Sequence, residues 1–175
     1  MTEDARTHRI SSAQEGSVPK EARAFQGQVA GVVTRTAAAV VDTLVVVVVL
    51  VALWAGLAAL KFMARPARFT LPSPTYAQAV SVGLPIALVY LVVAWSSSGR
   101  TVGDQLLGLR VVSRDGDPLS GPGALVRAVL YLVFPIGLFW SAVDRRSRSL
   151  QDLVVGSRVI YDWRSYVPNR GPTHP

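Results

Sequence analysis

The sequence predicts an all-α integral membrane protein with two transmembrane helices, a third, broken apolar segment and a small cytoplasmic β-hairpin. Three observations predict it. Half of the 175 residues are apolar and only 17% are charged. Two uninterrupted apolar runs are each long enough to cross a bilayer. The basic residues that give the formal charge of +7 flank those runs instead of gathering on one soluble face. Anionic lipid headgroups are therefore the expected counter-charge, and nucleic acid is not. With no cysteine there is no disulfide framework, thiol nucleophile or thiolate metal site.

Residues 1–28 mix Arg, Lys, Glu, Asp, Ser and Gly without apolar periodicity, a composition that cannot bury enough surface to order itself. This segment reads as a disordered cytoplasmic tail. It does not read as a signal peptide, because the first apolar run starts about thirty residues in and exceeds an h-region of roughly 7 to 15 residues.

The first span is residues 36–60, TAAAVVDTLVVVVVLVALWAGLAAL, with a single charge. Its 25 residues give about 37 Å of helix, enough for a hydrocarbon core of about 30 Å. The valine run would suggest a strand in water, but an open strand in lipid leaves backbone groups unpaired. Lys61, Arg65 and Arg68 mark the far interface. Residues 76–95 form the second span, with Tyr76 and Trp95 as interfacial anchors and Pro85 as an expected kink.

Residues 96–123 are polar and glycine-rich, and LRVVSRDGDPL within them pairs a β-branched run with Asp115-Gly116, a favoured turn. The expected product is a hairpin outside the bilayer. The third apolar segment, 124–143, is broken by Pro135 and Gly137, and two topologies fit it. If it crosses, each side carries nine Lys/Arg and no orientation follows. If it re-enters, fifteen basic residues lie on one side against three on the other, which places the N-terminus in the cytoplasm. The re-entrant form also brings LRVVS and GSRVIYD to the same side, where they can pair. Residues 162–175 read as a flexible tail, and residues 29–161 as the membrane domain between the two tails.

The residues that can carry chemistry are charged ones in apolar surroundings. Asp42 sits about two turns into the first span, where a carboxylate costs roughly 2.5 to 3.5 kcal/mol on insertion scales. Arg35 lies seven residues earlier on the same helix face, about 10 Å away along the axis. A third group or a water is expected to complete the network, with Arg127 the best-placed side chain. Asp152 can cap a helix, pair with Arg35 or Arg127, or be solvated. His8 and His174 lie in the two tails, so neither a metal site nor Ser-His-Asp catalysis is expected. GRTVGDQLLG lacks the phosphate-cradle pattern, and no cofactor is expected.

These pieces resemble the RDD family of membrane proteins, named for one arginine and two aspartates. The likeness rests on AGVVTRTAAAVVD, with Arg35 and Asp42; on GRTVGDQLLGLRVVSRDGDPLSGPGALVRA, with Gly99, Arg100, Gly103, Gly108 and Arg127; and on SRSLQDLVVGSRVI, with Asp152 and Gly156. The resemblance implies a family triad of Arg35, Asp42 and Asp152. Two departures stand out: Gln151 where the family often has His, and Asp104 where a basic residue is usual. Transport has been proposed for the family, and some members resemble accessory subunits.

The small residues 37–39 (AAA) and 55–59 (AGLAA) permit close helix approach in lipid. Two or three helices make a poor solute pathway alone, so a homo-oligomer or a larger membrane complex is expected. The leading expectation is a non-enzymatic accessory or assembly subunit of the cell (inner) membrane. The rival is an oligomeric ion- or proton-coupled transporter that uses Asp42. A third reading gives Tyr161, Trp163 and Tyr166 to headgroup recognition.

Overall fold

Helix α1, Val32–Ala64, runs through all of the first predicted span and beyond it at both ends. Its 33 residues make about 50 Å of helix, more than a bilayer core needs. At its N-terminal end Arg35, Ala38 and Asp42 are buried on one face. Farther along, its 18-residue apolar window has mean hydropathy 2.7 and none of its residues is fully buried by the rest of the chain. An unburied surface this apolar suits lipid and not water. The computed structural model describes residues 27–138, 140 and 149–163. The sequence calls on 1–26, on the end of the third apolar segment and on most of the C-terminal tail lie outside these.

Pro66 cannot continue α1, and a 3-10 turn at Pro66–Arg68 leads toward α2, Tyr76–Ser97. Thr75 caps α2 in a reciprocal box with Gln78, and the helix runs through Pro85 without ending. Gly83, Ala87, Leu91 and Trp95 form its buried stripe at four-residue spacing. At Gly83 an added Cβ would stand 3.0 Å from Leu50 Cδ1, so the small residue sets how closely α1 and α2 approach.

The chain then builds a cap at the end where α1 begins and α2 finishes. A short helix α3, Val102–Leu106, leads into strand β1, Leu109–Val112. Helix α4, Gly121–Val133, follows and packs mainly on α2. Its 13 residues give about 20 Å, too short for the hydrocarbon core. It stops at Phe134, as expected for the residue before Pro135, and a 3-10 turn covers Pro135–Leu138. A second short helix, α5 (Leu150–Val155), then leads into β2, Arg158–Tyr161.

The strands correct one expectation. β1 does not fold back across Asp115-Gly116 on a neighbouring strand; it pairs antiparallel with β2, with Val111 opposite Val159. The turn at Asp115-Gly116 forms, with Gly116 N–H bonded to Ser113 O and Ser113 N–H to Asp117 O, but no second strand follows it. Pro118 and Pro122 deny that stretch the donors a strand needs. On the other edge of β2, Gly27, Gln28 and Ala30 exchange backbone hydrogen bonds with Tyr161 and Val159. At the opposite end of the domain Asp162 N–H bonds Gly108 O. Fixed structure thus runs a little beyond 29–161 on both sides.

The cap contains a duplication. Residues 100–112, RTVGDQLLGLRVV, match 148–160, RSLQDLVVGSRVI, in Arg, Ser/Thr, Asp, two Leu/Val, Gly, Arg, Val and a final Val/Ile. Each copy whose structure is described makes the same object. Thr101 and Ser149 are N-caps boxed with Asp104 and Asp152, a short helix follows, and a glycine with positive φ turns the chain into a strand. Val111 and Val159 are equivalent residues and face each other, while Arg110 pairs with Ile160 and Val112 with Arg158. The two strands are therefore related by a local twofold axis through the Val111–Val159 pair.

Candidate functional site: two buried carboxylate centres

The three triad residues do not form one cluster. Asp152 stands at the first centre. Its Oδ2 accepts from Arg35 Nη1 and from the Ser149 backbone N–H at 3.1 Å; its Oδ1 accepts from Arg127 Nη1 and from Ser157 Oγ at 3.2 Å. Arg127 Nη1 also bonds Ser157 Oγ at 2.6 Å, and Arg35 Nε donates to Ala30 O at 3.0 Å. Burial opposes ionisation of Asp152, but the Arg127 and Arg35 guanidiniums together hold its carboxyl well below the usual carboxylate range. Asp152 is thus both the helix-capping residue and the anchor of two ion pairs. Two of its three sequence-derived options hold together, and solvation does not, since it is 1% exposed.

Asp42 forms the second centre without an arginine. Its Oδ1 accepts from Tyr90 Oη at 2.7 Å and from Gly103 N–H at 2.8 Å, and its Oδ2 from Thr101 Oγ1 at 2.6 Å. Tyr90 Oη is held in place by the Val102 N–H at 2.8 Å. Thr101 also accepts from Asp104 N–H while its own N–H bonds Asp104 Oδ2, both at 3.1 Å. Gly103 has to be glycine, because a Cβ there would lie 2.2 Å from Ala38 O. The expected Arg127 partner for Asp42 is therefore replaced by three uncharged donors. Arg127 comes from α4 and its guanidinium is committed to Asp152, whereas α3 presents its first turn directly to Asp42.

Trp95 sits between the centres. Its ring carries the Arg127 guanidinium 4.8 Å from its centroid, meets Tyr131 edge-on at 5.6 Å, and donates from Nε1 to Asp104 Oδ2 at 3.3 Å. Asp104, the acid in a usually basic position, is spent as a capping box and as the acceptor for Trp95. Gln151, which replaces the usual His, donates from Nε2 at 2.9 Å to Phe134 O, a carbonyl at the end of α4 that also accepts from Gly137 N–H at 3.0 Å.

The other predicted residues serve the cap's frame. Arg100 bonds Asp162 at 2.7 Å, joined by Arg110 at 3.4 Å. Gly99, Gly108 and Gly156 all have positive φ, and a Cβ on Gly108 would enter the Trp163 ring at 2.4 Å. Tyr161 bonds Thr34 at 2.7 Å, so this residue and Trp163 are used within the domain. Tyr90, Thr101, Ser149 and Ser157 are the functional neighbours not anticipated. The repeated Ser/Thr-x-x-Asp spacing at 101–104 and 149–152 is the signal that marks two of them.

Two clefts open beside the centres. One, of about 240 Å³, lies between α1, α2 and α4 and is apolar except where Asp42, Thr43, Tyr90 and Tyr131 reach it. The other, of about 440 Å³, is bordered by Asp152, Ser157, Arg114 and Arg158. The model of the RDD family matches residues 29–156, which include Arg35, Asp42, Arg127 and Asp152. No curated protein and no solved structure matches the chain.

Proposed function

The chain belongs to the RDD family, and from that premise we propose that it is a small, non-enzymatic accessory or assembly subunit of the cell membrane. In this reading the Arg35–Asp152–Arg127 set locks the cap onto the membrane helices. The observation that carries the reading is the saturation of Asp152 by Arg35 from α1 and Arg127 from α4. A carboxylate held by two buried guanidiniums is a poor carrier of protons or cations, because releasing it leaves both cations unpaired. The unburied apolar face of α1 supports assembly with further helices. Gly56 has open space around it, and Ala55, Leu57 and Ala59 are exposed, a surface suited to close packing with a second copy or another membrane protein.

The topology we infer is re-entrant. Pairing of β1 with β2 favours it, since these strands precede and follow the third apolar segment and must lie on one side to bond. The short α4 and the break at Phe134 favour it too. Both termini then share the side that holds fifteen of the eighteen basic residues, which is the cytoplasm by the positive-inside rule. Anionic headgroups are the natural partner of Arg114 and Arg158 at the cap surface.

One observation favours a transporter instead. Asp42 makes no ion pair among the described residues and borders the mostly apolar cleft between α1, α2 and α4. The two readings differ in what Asp42→Asn does. The accessory reading expects lost assembly or lower protein level; the transporter reading expects normal insertion with lost flux. A liposome flux assay of the purified protein, run beside a detergent pull-down, separates them, and robust transport by the protein alone would sink the accessory reading.

A further inference from the structure

Between the two centres lies a chamber of about 20 Å³. Val111 and Val159, the pair on the local twofold axis, face it, as do Arg35, Arg127, Asp42 and Asp104. Arg35 Nη2 and Arg127 Nε are buried and have no hydrogen-bond partner, on residues only 3% and 2% exposed. An orphaned N–H on a buried cation is costly, so these two groups point to a ligand that accepts hydrogen bonds.

Charge and volume decide which ligand. An anion would face the Asp42 and Asp104 carboxylates on the same wall, and a metal ion would face two guanidiniums. A neutral molecule that both accepts and donates suits both signs of charge. The chamber exceeds the roughly 10 to 15 Å³ that one water requires and has no space for a larger molecule. We propose that this chamber binds one internal water, which accepts from Arg35 Nη2 and Arg127 Nε and donates to the Asp42 carboxylate. The two centres then form a single hydrogen-bonded network between the duplicated turns. Asp42 gains indirect contact with the positive charge that its own neighbours lack, and a change at either aspartate is felt at the other. This goes beyond the structural lock proposed above and does not depend on it.

The test uses the full chain in lipid nanodiscs. Infrared spectra in water and in oxygen-18 water read the O–H stretch of strongly bonded internal waters. The wild type is expected to show one isotope-sensitive band that is lost in Ala38→Val, whose added methyls occupy the chamber wall. An experimental density map of the wild type is expected to show one peak within hydrogen-bond distance of both Arg35 Nη2 and Arg127 Nε. That map decides the question if Ala38→Val fails to fold. No isotope-sensitive band, a band unchanged in a folded Ala38→Val, or ordered guanidiniums with no peak between them would each overturn the proposal.

Discussion

Arg35 and Asp42 share one face of α1, yet the cap claims them for different purposes: Arg35 binds the Asp152 carboxylate, and Asp42 binds the turn at Thr101–Gly103. The two duplicated turns thus each dock onto α1, one through a cation and the other through an anion. Their docking points follow the helix repeat, which brings positions seven apart back to the same side. The docking explains how a polar cap is fixed to a helix whose remaining surface is apolar.

Asp152→Asn removes the charge that Arg35 and Arg127 share. Both guanidiniums would then be buried without an anion, and breaking a buried pair in this way costs about 3–5 kcal/mol. The expected outcome is a large fall in folded, detergent-extractable protein and in melting temperature. Near-wild-type melting would show that the ion pairs do not hold the cap.

Thr101→Val keeps the shape of the side chain but removes the hydroxyl that donates to Asp42 and accepts from Asp104 N–H. Each buried group left unsatisfied costs about 1–3 kcal/mol. Thr101→Ser retains the hydroxyl and is expected to melt much closer to the wild type. Equal melting of the two variants would contradict the role given to the hydroxyl.

Gly103→Ala and Gly56→Ala separate two kinds of glycine. At Gly103 the new Cβ meets the backbone of α1 2.2 Å away, whereas at Gly56 it meets nothing within 4 Å. Overpacking at Gly103 is expected to destabilise by about 1–3 kcal/mol or more, while Gly56→Ala, inside α1, is expected to leave the isolated chain unchanged or to stabilise it by up to about 1 kcal/mol. Thermal melts of both in the same detergent read the contrast.

The depressed pKa of Asp152 fixes the sign of one pH effect. Although burial opposes its ionisation, Arg127 and Arg35 keep it charged in the fold below the ordinary aspartate value of about 3.9. Its contribution is therefore complete above about pH 4 and is lost only as pH falls below that toward the folded value. In Asp152→Asn this acid-dependent loss should disappear. Melting curves of both proteins from pH 8 to pH 3 check it, and a wild-type loss set by Asp152 between pH 8 and pH 5 would contradict it.

The two long helices are legible in the sequence because lipid imposes a length and a composition that no neighbour has to supply. The shared face of Arg35 and Asp42 is legible for the same local reason, the helix repeat. Asp152 is legible as a possible partner of Arg35 or Arg127, but the uncharged partners of Asp42 are not, because Thr101 and Gly103 reach α1 only through a loop whose course depends on tertiary packing. The local hairpin does not form: Asp115-Gly116 makes its turn, but the β-branched run Leu109–Val112 pairs past α4 with Arg158–Tyr161, the pairing of LRVVS with GSRVIYD that the re-entrant form allows. The duplication of 100–112 in 148–160 was available to inspection, and it foretells both capping boxes and the pairing of the strands.

In the proposed topology the chain crosses the bilayer twice and folds its third apolar segment back, returning Asp152 to Arg35. Because the protein has no cysteine, single reporters can be placed at will. In intact cells, Ser73→Cys should react with a membrane-impermeant maleimide, while Ser17→Cys and Arg170→Cys should react only after the membrane is opened. Reaction of Arg170→Cys from the same side as Ser73→Cys would mean that the third segment crosses, and the pairing of β1 with β2 and the return of Asp152 would both be ruled out.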